Sequence, residues 1–144
     1  MDGETEAGVE GEMSLLERFR ALRGIPVTQE ESEDGLLRAL YQARDILVRY
    51  KHSSQASCLQ TVIDAVQTGD RQAYSQLLRS VNMWGSAGAV WEVDLSGTAT
   101  ARTDNREFRK SIIEIAKQMK HLGIKSSPAE QIAETFTKWN RKNL

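Results

Sequence analysis

Apolar residues recur at steps of three and four along most of this chain. That spacing places them on one face of a helix, which is typical of amphipathic helices that bury a single side. The pattern predicts a mainly α fold, a compact bundle of five to six helices. The apolar stripes run through Leu36, Leu40, Ala43, Leu47 and Tyr50; Leu59, Val62, Ile63 and Val66; Tyr74, Leu77, Leu78 and Val81; Phe108, Ile112, Ile115, Met119 and Leu122; and Ile132, Ala133, Phe136 and Trp139.

The breaks between the stripes carry the signals that begin and end helices. Ser14 and Glu17 have capping-box spacing and predict a short first helix that ends at Gly24. An acidic linker follows. Asp70 is placed to cap the fourth helix through its carboxylate, so that this helix runs on to Val81. Residues 127–130 read Ser-Pro-Ala-Glu, which gives the last helix an N-cap, an early proline and a glutamate at its third position.

The stretch from residue 83 to residue 97 has no helical spacing. Trp91, Val93 and Leu95 alternate with Glu92 and Asp94, the period of a half-buried strand. A turn at residues 96–97 would return this strand as a second one over residues 98–102. We therefore expect a short β-hairpin over 89–102, between the third and fourth bundle helices, followed by a helix that Thr103 or Asp104 caps.

Length and composition indicate one globular domain. The chain has 144 residues, of which 40% are hydrophobic and 27% charged. Residues 1–12 are acidic and predict a disordered tail, so the helical domain is expected over 13–144. No apolar run reaches the roughly 18 residues of a membrane helix, and the first residues do not resemble a signal peptide. A single cysteine, Cys58, excludes an internal disulfide, and together these features favour the cytoplasm.

Charge is unevenly distributed although the net charge is only −1. Acidic residues dominate residues 1–12 and again Glu30–Asp34, whereas Lys and Arg dominate from residue 101 onward. Such asymmetry indicates either an anionic partner for the C-terminal helices or simply a solvated helical surface. Both interpretations remain open at this point.

No motif indicates catalysis, a metal or a cofactor. The two histidines, His52 and His121, lie near helix ends and lack the spacing of zinc ligands. Glu92 and Asp94 would lie on one side of a strand, which is compatible with acid–base chemistry and equally with a solvated surface. A catalytic role would require them to converge with His121. We therefore expect a protein that is not an enzyme, with no catalytic residues, no metal site and no cofactor.

The most unusual segment reads Met83-Trp84-Gly85-x-x-Gly88. Glycines at this spacing permit positive φ or close backbone approach. Trp84 and Trp91 could anchor a partner or could instead cover the end of the bundle core. With the helix LLRALYQARDILVRY and the segment AYSQLL, this loop resembles an uncharacterised family of small bacterial helical proteins, over about residues 36–95. Some members are encoded near toxins, and the resemblance implies a bacterial cytoplasmic immunity protein that binds and blocks a toxin.

These observations predict a non-enzymatic protein-binding module that blocks a toxin by steric occlusion. Its contact surface is expected at Met83, Trp84, Gly85, Gly88, Trp91, Glu92 and Asp94. The acidic segment Glu30–Asp34 is an alternative surface that would suit a basic toxin. The alternative function is a nucleic-acid-associated protein that uses the basic C-terminal helices. No membrane partner is expected, and the oligomeric state stays open.

Overall fold

A computed structural model describes residues 15, 18, 24, 26–85 and 87–144. Within these residues the chain is mainly α-helical, as the apolar spacing predicted, and it contains no strand. The helices are α1 (Gln29–Arg49), α2 (Ser53–Gln67), α3 (Arg71–Leu78), the single turn α4 (Val81–Trp84), α5 (Ala101–His121) and α6 (Ser127–Arg141).

Helix α1 lies at the centre of the bundle. It packs against α5 on one side and against α2 on the other, while α6 packs against α5 and α3 against α2. The stripe residues meet in one core, in which Leu36, Leu40, Ile63, Ile112 and Ile115 are fully buried. Removal of this apolar surface from water is the main force that holds the helices together.

The acidic segment Glu30–Asp34 is not a linker, which corrects the sequence-based expectation. Thr28 caps α1 in a complete capping box with Glu31, so the helix begins at Gln29 and includes the acidic run. Carboxylates in a first turn also interact favourably with the positive end of the helix dipole. Glu33 accepts a hydrogen bond from the buried Tyr74 hydroxyl at 2.6 Å, so part of this segment serves the fold.

Three other helix boundaries lie close to their predicted positions. Asp70 caps α3 as predicted, because its Oδ1 accepts from the Ala73 N–H at 3.0 Å. The last helix begins one residue early, with Ser126 rather than Ser127 as its N-cap. Helix α3 ends at Leu78 and not at Val81, which is 78% exposed and opens the turn α4.

The predicted β-hairpin over 89–102 does not form. Thr100 is the N-cap of α5, so the expected second strand over 98–102 is instead a turn over 98–100 followed by the start of a helix. The predicted caps, Thr103 and Asp104, lie inside its first turns. The Thr100 hydroxyl donates to Asp104 Oδ2 at 2.8 Å, which stabilises this earlier start. Residues 92–96 have no regular secondary structure. Two of their carbonyl groups contact side chains from elsewhere, because His52 Nε2 lies 3.1 Å from the Asp94 oxygen and Asn105 Nδ2 donates to the Leu95 oxygen at 2.7 Å.

The predicted tail over 1–12 and the capping box of Ser14 with Glu17 lie outside the described residues. Leu15 and Arg18, from the predicted first helix, are helical. In the part of the chain that the structure covers, no helix is both long and apolar enough to cross a membrane.

Candidate interaction surface

Residue 85 and residues 87–95, here together called the anchored loop, lie between α4 and the segment that precedes α5. The loop folds back onto α4, since the Val90 N–H donates to the Asn82 carbonyl at 2.8 Å. Side chains from outside the loop contact three of its backbone carbonyl groups. Gln55 Nε2 donates to the Gly88 carbonyl at 3.1 Å, His52 Nε2 lies 3.1 Å from the Asp94 carbonyl oxygen, and Asn105 Nδ2 donates to the Leu95 carbonyl at 2.7 Å. Hydrogen bonds thus hold the loop at Gly88, Val90, Asp94 and Leu95.

Both glycines of the motif have the backbone roles that the sequence predicted. A Cβ atom built on Gly85 would lie 2.6 Å from the Val81 carbonyl oxygen, a distance that real Cβ atoms do not adopt. Gly88 has φ of +88°, in the left-handed region that favours glycine. The two residues make the tight return of the chain onto α4 possible.

The structure places Met83 and Trp84 in the core and not on the surface. Met83 is fully buried, and Trp84 is 5% exposed. The Trp84 indole N–H donates to the Leu78 carbonyl at 2.6 Å, so its polar atom is also satisfied inside the protein. Trp84 therefore cannot act as the exposed anchor that the sequence suggested; it belongs to the bundle core.

Trp91 lies at the start of a partly exposed aromatic row. Its ring centroid is 6.3 Å from that of Phe136, which in turn is 5.5 Å from the ring of Trp139. Trp139 is 38% exposed, although its stripe predicted burial. The guanidinium carbon of Arg109 lies 5.3 Å from the centre of the Trp139 ring, a cation–π arrangement. We call Trp91, Phe136 and Trp139 the aromatic row.

A cluster of cations lies next to the aromatic row, where the beginning of α5 meets the end of α6. Arg102 donates to the Asn143 carbonyl at 2.9 Å, and Arg106 donates to the Asn140 carbonyl at 2.7 Å. These contacts satisfy carbonyl groups at the negative end of the α6 dipole. We call this region the basic end; it comprises Arg102, Arg106, Arg109, Lys138, Arg141 and Lys142.

The acidic side chains of α5 near the basic end are engaged by other groups. Asp104 accepts from the Tyr50 hydroxyl at 2.6 Å and lies 3.3 Å from Arg49. The hydrogen bonds from Tyr50 and Thr100, with the charge of Arg49, lower the pKa of Asp104 below its usual range. Glu107 lies 3.7 Å from Lys110. The outward-facing charge of this region is therefore predominantly positive.

Glu92 and Asp94 do not converge with His121. Both acids are exposed on the anchored loop, close to the beginning of α5, whereas His121 lies at the end of the same helix. The 16 residues from Asn105 to His121 span about 24 Å of helix. The described residues also contain no group of three or more side chains placed to hold a metal ion.

A shallow groove separates the anchored loop from the outer side of α2. It encloses about 310 Å³ and is lined by uncharged side chains and by the loop backbone, among them Ser54, Ser57, Thr61, Asn82 and Gly88. Cys58 also borders it, and burial raises the pKa of this thiol, which keeps it protonated and weakly nucleophilic. The groove offers hydrogen-bonding groups without charge.

The chain matches no protein-family model, no curated protein and no solved structure. Of the sequence-predicted site, the structure brings Trp91, Glu92 and Asp94 to the surface and leaves Met83 and Trp84 inside. Sequence reasoning missed Trp139 and Arg109, although the Arg102, Arg106 and Arg109 spacing indicates one helix face.

Proposed function

We propose that this protein is a non-enzymatic, cytoplasmic bacterial protein-binding module that blocks a toxin by steric occlusion. The contact surface would consist of the aromatic row and the exposed side of the anchored loop. One observation supports this most directly: Trp91 and Trp139, from distant parts of the sequence, lie on the same buried ring, that of Phe136, and stay partly exposed.

The chemistry of this surface suits protein recognition. Tryptophan and arginine are the residues most enriched where interfaces concentrate their binding energy. The Arg109 guanidinium lies over the Trp139 ring and donates to Asn140 Oδ1 and to the Leu144 carbonyl, so the Trp139 ring is supported before a partner binds. The surrounding charges differ in sign, with Glu92 and Asp94 on the loop and Lys138 on α6. Opposite charges on the two sides would fix the orientation of a partner.

The proposal is tested by binding of a purified toxin encoded beside this protein in its host. Titration calorimetry should show a 1:1 complex, and co-expression should abolish the toxin's effect on growth. Trp91→Ala and Trp139→Ala should each weaken binding at least about tenfold, which corresponds to about 1.4 kcal/mol. Val48→Ala is the control, because Val48 is also a partly exposed apolar residue, 58% exposed, but lies on α1.

The protein-binding proposal fails if both tryptophan variants bind and protect as well as the Val48→Ala control. It also fails if no neighbouring toxin forms a complex with the purified protein. If a complex forms but the toxin stays active, the proposed binding surface would be supported and steric occlusion of the toxin would be rejected.

Nucleic-acid binding is the second candidate, and the exposed Trp139 beside the basic end favours it. Aromatic faces stack on bases, and Lys and Arg neutralise phosphates. Fluorescence anisotropy with single-stranded DNA and RNA should then show binding that weakens steeply with salt. The triple variant Lys138→Gln, Arg141→Gln, Lys142→Gln should lose it. Neutralisation of three exposed cations elsewhere, Arg38, Arg79 and Lys120, is the matched control. Equal loss in the two triple variants would reject a specific surface.

A further inference from the structure

Four of the six cationic side chains of the basic end are exposed to solvent. Arg102, Lys138, Arg141 and Lys142 all lie at the protein surface. The neighbouring acids Asp104 and Glu107 lie close to the separate cations Arg49 and Lys110. A concentrated positive surface of this kind creates a potential that attracts a polyanion or an acidic polypeptide.

This chain contains an acidic segment whose charge is opposite to that of the basic end. Residues 2–12 include five acidic side chains and no basic one, namely Asp2, Glu4, Glu6, Glu10 and Glu12. The first basic side chain in the sequence is that of Arg18. We propose that residues 2–12 dock on the basic end of the same molecule.

The geometry permits this contact. Tyr50, which follows α1, bonds to Asp104 near the start of α5, so this end of α1 lies close to the basic end. Thr28 caps the opposite end of α1, and the 21 residues of that helix span about 32 Å. Leu15 and Arg18 are helical, but even if all nine steps from position 15 to position 24 were helical, the 16 steps between positions 12 and 28 would still reach about 37–39 Å. Residues 2–12 can therefore cover the distance back along the helix.

The contact would make the basic end selective. A tethered segment acts at an effective concentration in the millimolar range, so even weak ion pairing keeps the surface occupied. An anionic partner would have to displace residues 2–12 before it could bind. This is independent of whether the aromatic row binds a toxin.

Paramagnetic relaxation in the full chain tests the docking. A nitroxide is attached at Gly8→Cys in a Cys58→Ser background, which removes the only native thiol. At low ionic strength the amide signals of residues 138–142 should be attenuated at least about twofold, and about 1 M salt should restore them, because the Debye length then falls to about 3 Å. Lys138→Gln, Arg141→Gln, Lys142→Gln should abolish the attenuation, whereas Arg38→Gln, Arg79→Gln, Lys120→Gln should retain it.

Three results would overturn the proposal: no attenuation at the basic end at low salt, attenuation spread evenly over the surface, or equal loss in both triple variants. The remaining alternative is that residues 2–12 of one molecule bind the basic end of a second copy. A mixture of spin-labelled protein without ¹⁵N and ¹⁵N-labelled protein without the nitroxide tests it. Attenuation of equal size in that mixture would assign the contact to a second copy and reject docking within one molecule. No toxin is present in this experiment, so its failure leaves the protein-binding proposal intact.

Discussion

Trp84 and Trp91 use the same local contact in two different environments. Each indole N–H donates to the carbonyl six residues earlier, at 2.6 Å for Trp84 to Leu78 and 2.7 Å for Trp91 to Gly85. Trp84 is nevertheless in the core, whereas Trp91 is half-buried against Phe136. The comparison shows that the hydrogen bond fixes the direction of each ring. The groups that pack over each ring then decide whether it is enclosed in the core, as for Trp84, or stays partly exposed for the proposed contact, as for Trp91.

The largest effect is expected at Trp84. Trp84→Ala should lower the free energy of unfolding by about 3–5 kcal/mol, because it removes a large side chain from the core and leaves a cavity there. Urea unfolding followed by circular dichroism measures this loss. Trp84→Phe keeps most of the ring but leaves the Leu78 carbonyl without its donor, and should cost about 1–3 kcal/mol. A loss below about 1 kcal/mol for Trp84→Ala would contradict its core role.

Gly85 directly follows Trp84 in the chain, and its carbonyl accepts the hydrogen bond from the Trp91 indole N–H. Gly85→Ala should destabilise the protein by about 1–3 kcal/mol, since the new Cβ would meet the Val81 carbonyl and force the backbone to shift. Chemical denaturation again gives the value. Ala87→Gly, at an exposed neighbour, is the control and should change stability by less than about 0.5 kcal/mol. If the two variants were equally stable, the close approach at Gly85 would not be a constraint.

Trp91→Ala should reduce stability less than Trp84→Ala does. The lost ring contact with Phe136 and the lost hydrogen bond together predict about 1–2 kcal/mol. Its effect on toxin binding should be larger than that of Trp84→Phe, measured by titration calorimetry on variants that remain folded. The reverse order of effects on binding would assign recognition to the core tryptophan.

The smallest effect is expected from Gln55→Ala, which removes the side chain that donates to the Gly88 carbonyl. The bond is exposed, so the free energy of unfolding should fall by only about 0.5–1 kcal/mol. Hydrogen exchange of the Val90 amide should accelerate more than exchange at Ile63, because the loop is affected locally. Equal acceleration at both amides would indicate global destabilisation instead.

The helices were predictable because apolar spacing over ten or more residues has few interpretations. Leu36, Leu40 and Leu47 lie in the core as that spacing required, and Asp70 caps α3 through its carboxylate. The hairpin prediction was wrong because alternation over only five residues does not specify a pairing partner. Leu95 is buried because its segment docks on α5, where Asn105 binds its carbonyl.

The candidate surface was only partly predictable. The glycine requirements of the loop followed from residue type alone, but the opposite environments of Trp84 and Trp91 depend on contacts with Leu78 and Phe136. Trp139 lies at the edge of its apolar stripe, and its exposure depends on how α6 is rotated against α5. The convergence of Arg102 and Arg106 on the last turn of α6 likewise depends on the packing of two helices.

The anchoring of the loop has a consequence for the rate of complex formation. Contacts with Asn82, Gln55 and His52 already hold its backbone at Val90, Gly88 and Asp94, so we expect a partner to meet these positions without their rearrangement. Association should then follow a single exponential phase at about 10⁵–10⁷ M⁻¹s⁻¹, typical of docking without conformational change. Differences in affinity among loop variants would arise mainly from how fast the complex dissociates.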